Sequence, residues 1–332
     1  MPKLIVPVAD HYPALVTYRG PAILKKIIQK FRETKHKEED DSTLFDRACH
    51  TCFKHFFAGQ LVKFSGQLIH QLLLRKIHSP KDDELQIQVG SNRVVRFRME
   101  EFFLVTGLNC HSAPSEAERS AKCGSRVLLQ RYFNDSDVVR CDTLEAMFSQ
   151  CADPEDIWKL GLCLFVSGVL CGGESNALVP TEYFSYVDDE EFFLSLPWGR
   201  WSFERTLRGL KKDMVHLHAL YLKKLESTKA AKLVRQKSRE KGSKKNKGEE
   251  AKPLRKSKPQ LAAKYTVQGF ALALQYWAYE AIPECGKKFA IKAGLQFPRM
   301  AGWRTKGEGY DLARDVADVL NKRNVSLHLK LI

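Results

Sequence analysis

The sequence has no run of the roughly 18 consecutive apolar residues that a membrane span requires. Its longest candidate, 157–171, is too short and carries Lys159, so no membrane partner is expected. It has no secretory pattern: prolines at positions 2 and 7 break the first apolar run, which predicts an intracellular protein. It has no even, regularly spaced cysteine set. Nine irregularly spaced cysteines fit reduced thiols better than a disulfide framework. There is no Gly-x4-Gly-Lys-Ser/Thr, and Gly172-Gly173 follows a helical pattern instead of preceding one, so no phosphate cradle is expected. Cys49-x-x-Cys52-x-x-His55 lacks a second Cys/His pair to complete the four ligands of a structural zinc, and both cysteines read as core. No metal and no cofactor is expected.

What is present is enough for a substantial core. At 332 residues and 44% hydrophobic composition the chain can form one large domain or two ordinary ones. The net charge of +15 is unevenly spread. Lys223 to Lys258 holds 15 Lys and Arg against 4 Asp and Glu, a net of +11 that leaves +4 for everything else. Over 227–260 Lys, Arg, Ser and Gly replace apolar residues. Such a segment buries too little surface to offset its ordering entropy and is expected to be a disordered basic linker, with its first turns able to extend the preceding helix. Around it the sequence predicts an N-terminal arm and short helix (1–42), a main helical body (43–226) containing a hairpin (84–97), and a C-terminal segment (261–332) packing back on the body. The expected fold class is mainly α with a small β-hairpin, an α+β arrangement.

Periodicity places the helices. Pro21 opens one with Ile23, Ile27 and Phe31 at spacing four. Residues 35–42 read as a charged loop in which Asp41 or Ser42 caps the next helix. There Phe45, Cys49, Cys52, Phe53 and Phe56 form one stripe, and Leu61 to Ile77 form another buried helix. A surface loop is expected over 111–125, a short helix over Val127–Phe133, and a capping-box start at Asp142–Glu145. Asp153-Pro154 is a stronger start, opening a helix over 157–170 that is apolar nearly all round and therefore central. The acidic run Asp188–Glu191 reads as a solvated, dipole-matched helix start. Pro197–Arg200 reads as a turn, with Ser202 capping one long helix to Tyr221 on which His216 and His218 diverge. A helix over Thr266–Ile282 stopped by Pro283, another over Asp311–Leu320, and a terminal strand over 325–332 complete the expectation.

The best-specified stretch is Glu84 to Cys110. Ile87 and Val89 alternate with Gln86 and Gln88, Gly90 to Asn92 turn the chain, and Val94 to Phe97 resume the strand. Glu100 and Glu101 then occupy a first helical turn, Phe102, Phe103 and Val105 supply its apolar side, and Gly107 ends it with Leu108 folding back. Arg96 is expected to pair with Glu100 or Glu101 at the junction.

The same residues carry a resemblance. Glu84, Gly90, Arg96, Phe97, Glu101, Phe102 and the run Leu104–Cys110, with Thr106, Gly107 and Leu108, resemble the hallmark segment of a plant-specific family of unknown function. That family occurs in transposon-derived proteins, often upstream of a SUMO-type (ubiquitin-like) cysteine protease domain; the order of elements is more distantly similar to the plant mobile domain. Pro197, Trp198, Gly199 and Arg200, then Trp277, Glu280 and Pro283, and finally Pro298, Arg299 and Trp303 are similar to the family's later blocks in order and spacing. The resemblance spans most of 45–310, with the basic segment as a variable insert. Gln86 departs from it, standing where a bulky aromatic is expected. No activity is assigned to the family's domain, so the resemblance implies lineage and no reaction.

Protease chemistry needs a thiolate, a histidine base and an orienting Asp or Asn. Glu284-Cys285-Gly286 superficially matches the nucleophile block of SUMO-type proteases, but no suitable His block precedes it, so no catalytic residue and no enzyme is expected. Lys244, Lys245 and Lys247, preceded by Arg235, Lys237, Arg239 and Lys241, resemble a bipartite nuclear-import signal. The basic segment almost lacks aromatics, so any nucleic-acid contact through 227–260 is expected to be weak and nonspecific. The expectation is a non-catalytic protein-interaction or scaffolding domain in the nucleus, with a protein partner the sequence does not name. The alternatives are a nucleic-acid-binding module using the basic insert, a regulatory fragment of a SUMO-type protease lacking its catalytic domain, and a cytoplasmic location.

Overall fold

Asp153 accepts a hydrogen bond from Asp156 N at 2.9 Å and starts the helix Pro154–Phe165, whose proline has no N–H to leave unpaired. From Ile157 to Phe165 only Lys159 escapes burial. This helix is the axis of the core in a computed structural model that describes residues 3–37, 40–79, 81–90, 93–242, 261–307, 312–322 and 325–327. It runs into a π-helical turn, Val166–Leu170, closed by Cys171 N donating to Val166 O at 2.9 Å. The helix Gly20–Glu33 buries Ile23, Ile27 and Phe31 on it, the Phe31 ring lying 5.4 Å from Trp158. Phe53, Phe56 and Phe57 close around Phe165 at 4.8, 5.4 and 5.1 Å.

The fold is mainly helical. Its strands, among the described residues, form five separate two-stranded sheets. The hairpin pairs Leu85–Val89 with Arg93–Phe97, Leu85 opposite Phe97 and Val89 opposite Arg93, while its turn residues Ser91 and Asn92 lie outside the described residues. The longest-range pairing is parallel: Ala14–Thr17 lies beside Ala263–Thr266. Buried His70 on the helix Gly66–Leu74 joins both strand neighbourhoods, with Nε2 2.6 Å from Tyr12 O and Nδ1 3.0 Å from the Tyr265 hydroxyl.

Several elements differ from expectation. Within 35–42, Lys35–Lys37 and Asp40–Thr43 pair antiparallel instead of looping. The following cap is Thr43, not Asp41 or Ser42: Thr43 Oγ1 accepts from Asp46 N at 3.3 Å while Thr43 N donates to Asp46 Oδ2 at 2.8 Å. The stripe from Phe45 to Phe56 is broken into Leu44–Cys49 and Lys54–Phe57. Thr51 Oγ1 donates to Ala48 O at 2.8 Å and accepts from Phe53 N at 3.1 Å, competing with the helical ladder. The break turns Cys52 out to solvent, so it is not a core thiol. Ser65 starts the next helix, which covers only Gly66–Leu74; Ile77 instead forms a β-bridge with Leu4. The 111–125 loop contains the exposed helix Glu116–Ala121. The helix near Asp142 begins at Cys141 without a side-chain cap.

The long helix expected from Ser202 is two helices, Trp198–Leu210 and Met214–Gly242. Pro197–Arg200 is therefore the start of the first helix and not a free turn. Ser202 is fully buried and donates to Leu170 O at 2.7 Å. Buried Lys76 donates to Leu210 O at 3.3 Å and Lys212 O at 2.6 Å, ending the first helix, and Asp213 Oδ1 accepts from His216 N at 2.8 Å to start the second. The second helix continues to Gly242, so the first turns of the basic segment extend the helix that precedes it. Residues 243–260, including Lys244, Lys245 and Lys247, lie outside the described residues. The helix expected over Thr266–Ile282 covers Leu272–Ala281, because Thr266 belongs to a strand and Phe270 N is held by Thr206 Oγ1 at 2.7 Å. Pro283 opens a further helix, Pro283–Phe289. The last helix is Leu312–Leu320; Val325–Leu327 form no strand, and Asp311 and 328–332 lie outside the described residues.

Candidate functional site

Many of the motif residues, scattered through the sequence, meet at one junction. Phe97 from the hairpin lies 6.3 Å from Phe102, 5.9 Å from Phe203 and 5.5 Å from Trp277, all buried. The helix Met99–Thr106 ends at Gly107 in the left-handed conformation, φ 69°, where only glycine sits without strain. A Cβ there would also lie 3.2 Å from the Pro298 ring. Thr106 Oγ1 donates to Phe102 O at 2.8 Å, and Leu108 is buried behind it. Gly199 allows the next block to close on this turn: its N–H donates to Asn109 O at 2.7 Å, and a Cβ would meet that oxygen at 2.6 Å. Beside it Arg200 Nε donates to His111 O at 2.7 Å and Trp198 Nε1 to Phe193 O at 2.7 Å, with Pro197 buried. Buried Glu280 accepts from Trp303 Nε1 at 2.7 Å and Lys292 Nζ at 3.3 Å. Arg299 and half-buried Pro283 flank this last pair in the chain, and Gly90 N donates to Leu320 O at 2.9 Å.

Two motif positions behave differently from expectation. Arg96 is exposed on the hairpin opposite Gln86 and pairs with neither Glu100 nor Glu101. The pairing is made by Arg98, one residue past the end of the strand: Nη2 donates to Glu101 Oε1 at 2.8 Å, while Arg98 N donates to Glu101 Oε2 at 2.9 Å. Alternation along a strand sends Arg96 to solvent, whereas Arg98 stands where the helix begins. Gln86, in place of the anticipated aromatic, is half-buried and donates to buried Glu84.

Burial pushes the Cys285 thiol up to about 12, Glu284 adding to the effect, and burial likewise raises Cys110 to about 11. Reactive thiols are shifted the other way. Among the described residues no three His, Cys, Asp or Glu side chains are grouped to hold a metal ion. His218 is half-buried instead of a plain surface histidine, stacked 5.0 Å from Tyr12.

A second feature, without a local signature in the residue pattern, is an open cavity of about 640 Å³. One wall is the π-helical turn, which presents Ser167 and Cys171; π turns are rare and recur at functional sites. Tyr183 and Tyr186 form a second wall, and Trp201 lies across from Tyr183 at 6.4 Å with planes 11° apart. Three guanidinium groups face the space: Arg119 from the exposed helix Glu116–Ala121, and Arg205 and Arg208 from Trp198–Leu210. Arg205 and Arg208 are three apart, hence on one helical face, which is the only local signal that pairs them. Arg119 has no sequence signal linking it to them.

A family model described as Domain of unknown function (DUF1985) matches residues 73–209. The match contains the Glu84–Cys110 stretch and the Pro197–Arg200 block and stops before Trp277, Glu280, Pro283, Pro298, Arg299 and Trp303. Every residue lining the cavity, from Arg119 to Arg208, falls inside it. No curated protein and no solved structure matches the chain.

Proposed function

We propose that the chain is a non-catalytic protein-interaction or scaffolding domain of transposon-derived plant lineage that works in the nucleus. One observation carries this reading. The motif residues are consumed in tying the hairpin, the Trp198–Leu210 helix and the C-terminal helices together, and an exposed apolar strip stands directly beside that junction. Phe103 is 40% exposed and its ring lies 5.5 Å from that of Phe297, which is 56% exposed, with Leu295 nearby in sequence at 78%. Exposed aromatics placed together are typical of association surfaces. A Phe103→Ser/Phe297→Ser variant with an unchanged circular dichroism spectrum should lose a protein that co-purifies with the full chain. Equal recovery of every co-purifying protein by both forms would refute the reading.

Nuclear work is supported by the basic helix Met214–Gly242, which exposes Lys223, Lys224, Lys229 and Lys232 ahead of the import-like clusters. A fluorescent fusion of 230–258 should accumulate in nuclei; a cytosolic signal argues for the cytoplasmic alternative. The same lysines support a second reading, nonspecific contact with nucleic-acid phosphates. That reading requires retention on DNA to fall steeply with salt and to vanish when 227–260 is deleted. The protease-fragment reading rests on the resemblance alone. Hydrolysis of a SUMO-linked substrate by this chain, abolished by Cys285→Ala, would overturn both that reading and our proposal.

A further inference from the structure

The cavity between the π-helical turn, Tyr183, Trp201 and the three arginines has no role in the junction or the apolar strip. Among the described residues Arg119, Arg205 and Arg208 form no ion pair within 4 Å, although other surface arginines of the molecule do, such as Arg47 with Glu155 at 3.1 Å and Arg126 with Asp137 at 2.8 Å. Arg119 Nε and Ser167 Oγ are buried there without hydrogen-bond partners. Buried donors without partners are costly, and both belong to residues that line this one cavity. Each guanidinium offers a planar fork of N–H donors suited to a phosphate or carboxylate. The Tyr183 and Trp201 rings supply apolar walls, and the volume lies within the range of small-molecule sites, about 300–1,000 Å³.

We propose that this cavity binds a small phosphate monoester carried on a planar ring, the phosphate held by Arg119, Arg205 and Arg208 and the ring set against Trp201 and Tyr183. Glu182 and Glu204 also line the space but are exposed, so they moderate the cationic field at the rim without filling the donors inside. The lining thiols take no covalent part: Cys171, raised to about 12 chiefly by burial, stays protonated.

Phenyl phosphate, phenol and inorganic phosphate separate the components. Calorimetric titration of the full chain should show saturable binding of phenyl phosphate, with weaker binding of inorganic phosphate and none of phenol. Arg205→Met/Arg208→Met should weaken phenyl phosphate at least roughly tenfold, equivalent to about 1.4 kcal/mol. Glu204→Gln should strengthen it. Tryptophan quenching by phenyl phosphate should disappear in Trp201→Phe, which assigns the signal to this wall. The proposal is overturned by an absence of saturable phenyl phosphate binding, or by equal binding to the double arginine variant with a native circular dichroism spectrum. Phenol binding as tightly as phenyl phosphate would remove the anion from the site; inorganic phosphate binding as tightly would remove the ring.

Discussion

The motif junction and the arginine cavity lie on the same helix, Trp198–Leu210, and use it in opposite ways. One face sends Phe203 against Phe97 and Phe102 and closes Gly199 on Asn109, so that aromatic area and donors are matched. The other sends Arg205 and Arg208 into an open space with no carboxylate within ion-pair distance among the described residues. A core position contributes through buried area and close packing, whereas an unpaired guanidinium adds little to folding and is available for binding. Stability and binding should therefore separate cleanly between the two faces.

The separation is broken most strongly by truncating the junction. Phe97→Ala removes a ring touching three others and should cost about 3–5 kcal/mol, read as a lower urea midpoint. A change under about 1 kcal/mol would mean that the hairpin is peripheral to the core.

Acid is the next lever, acting where the N-terminal arm meets the Ala263–Thr266 strand. Burial, the leading cause, and Arg75 hold His70 and His11 near pKa 4, below the ordinary 6.5. The unfolded chain takes up protons below 6.5 while the folded one resists until about 4. Stability should be full above pH 6.5 and fall as pH drops towards 4, by on the order of 2–3 kcal/mol. Urea midpoints at several pH values check this, and His70→Gln should flatten the profile. A wild-type midpoint constant over that window would contradict the buried placement of both rings.

Smaller effects sharpen the comparison. Gly107→Ala forces a side chain into φ 69° against Pro298 and should cost about 1–3 kcal/mol. Arg98→Ala loses the helix-start pairing with Glu101 and should cost about 0.5–1 kcal/mol in a partly exposed site. Arg96→Ala should lie within about 0.5 kcal/mol of wild type. Reversal of those last two would restore the pairing that sequence suggests for Arg96.

Legibility in the sequence follows the range of the interaction. Asp153-Pro154, the Glu84–Phe97 hairpin and the Gly107 stop are specified by neighbours within a few residues, and each appears as anticipated. Ser202 looked like a cap because Ser is favoured there, but its hydroxyl is used by Leu170 O, 32 residues away. The pairing of Thr17 with Thr266 joins residues 249 apart and leaves no local trace. The split of the long helix at 211–213 depends on Lys76, whose ammonium arrives from a bridge beside the hairpin strand Leu85–Val89. The cavity was invisible for a related reason. Its arginines carry no local pattern beyond the three-residue spacing of Arg205 and Arg208, and only their assembly from two distant helices distinguishes them from the paired arginines elsewhere.

The most direct test is a pair of thermal melts. Arg205→Met/Arg208→Met should melt with the wild type, while Phe97→Ala melts several degrees lower. A double arginine variant that falls as far as Phe97→Ala would show that the guanidinium groups support the fold, and would contradict the separation of the two faces.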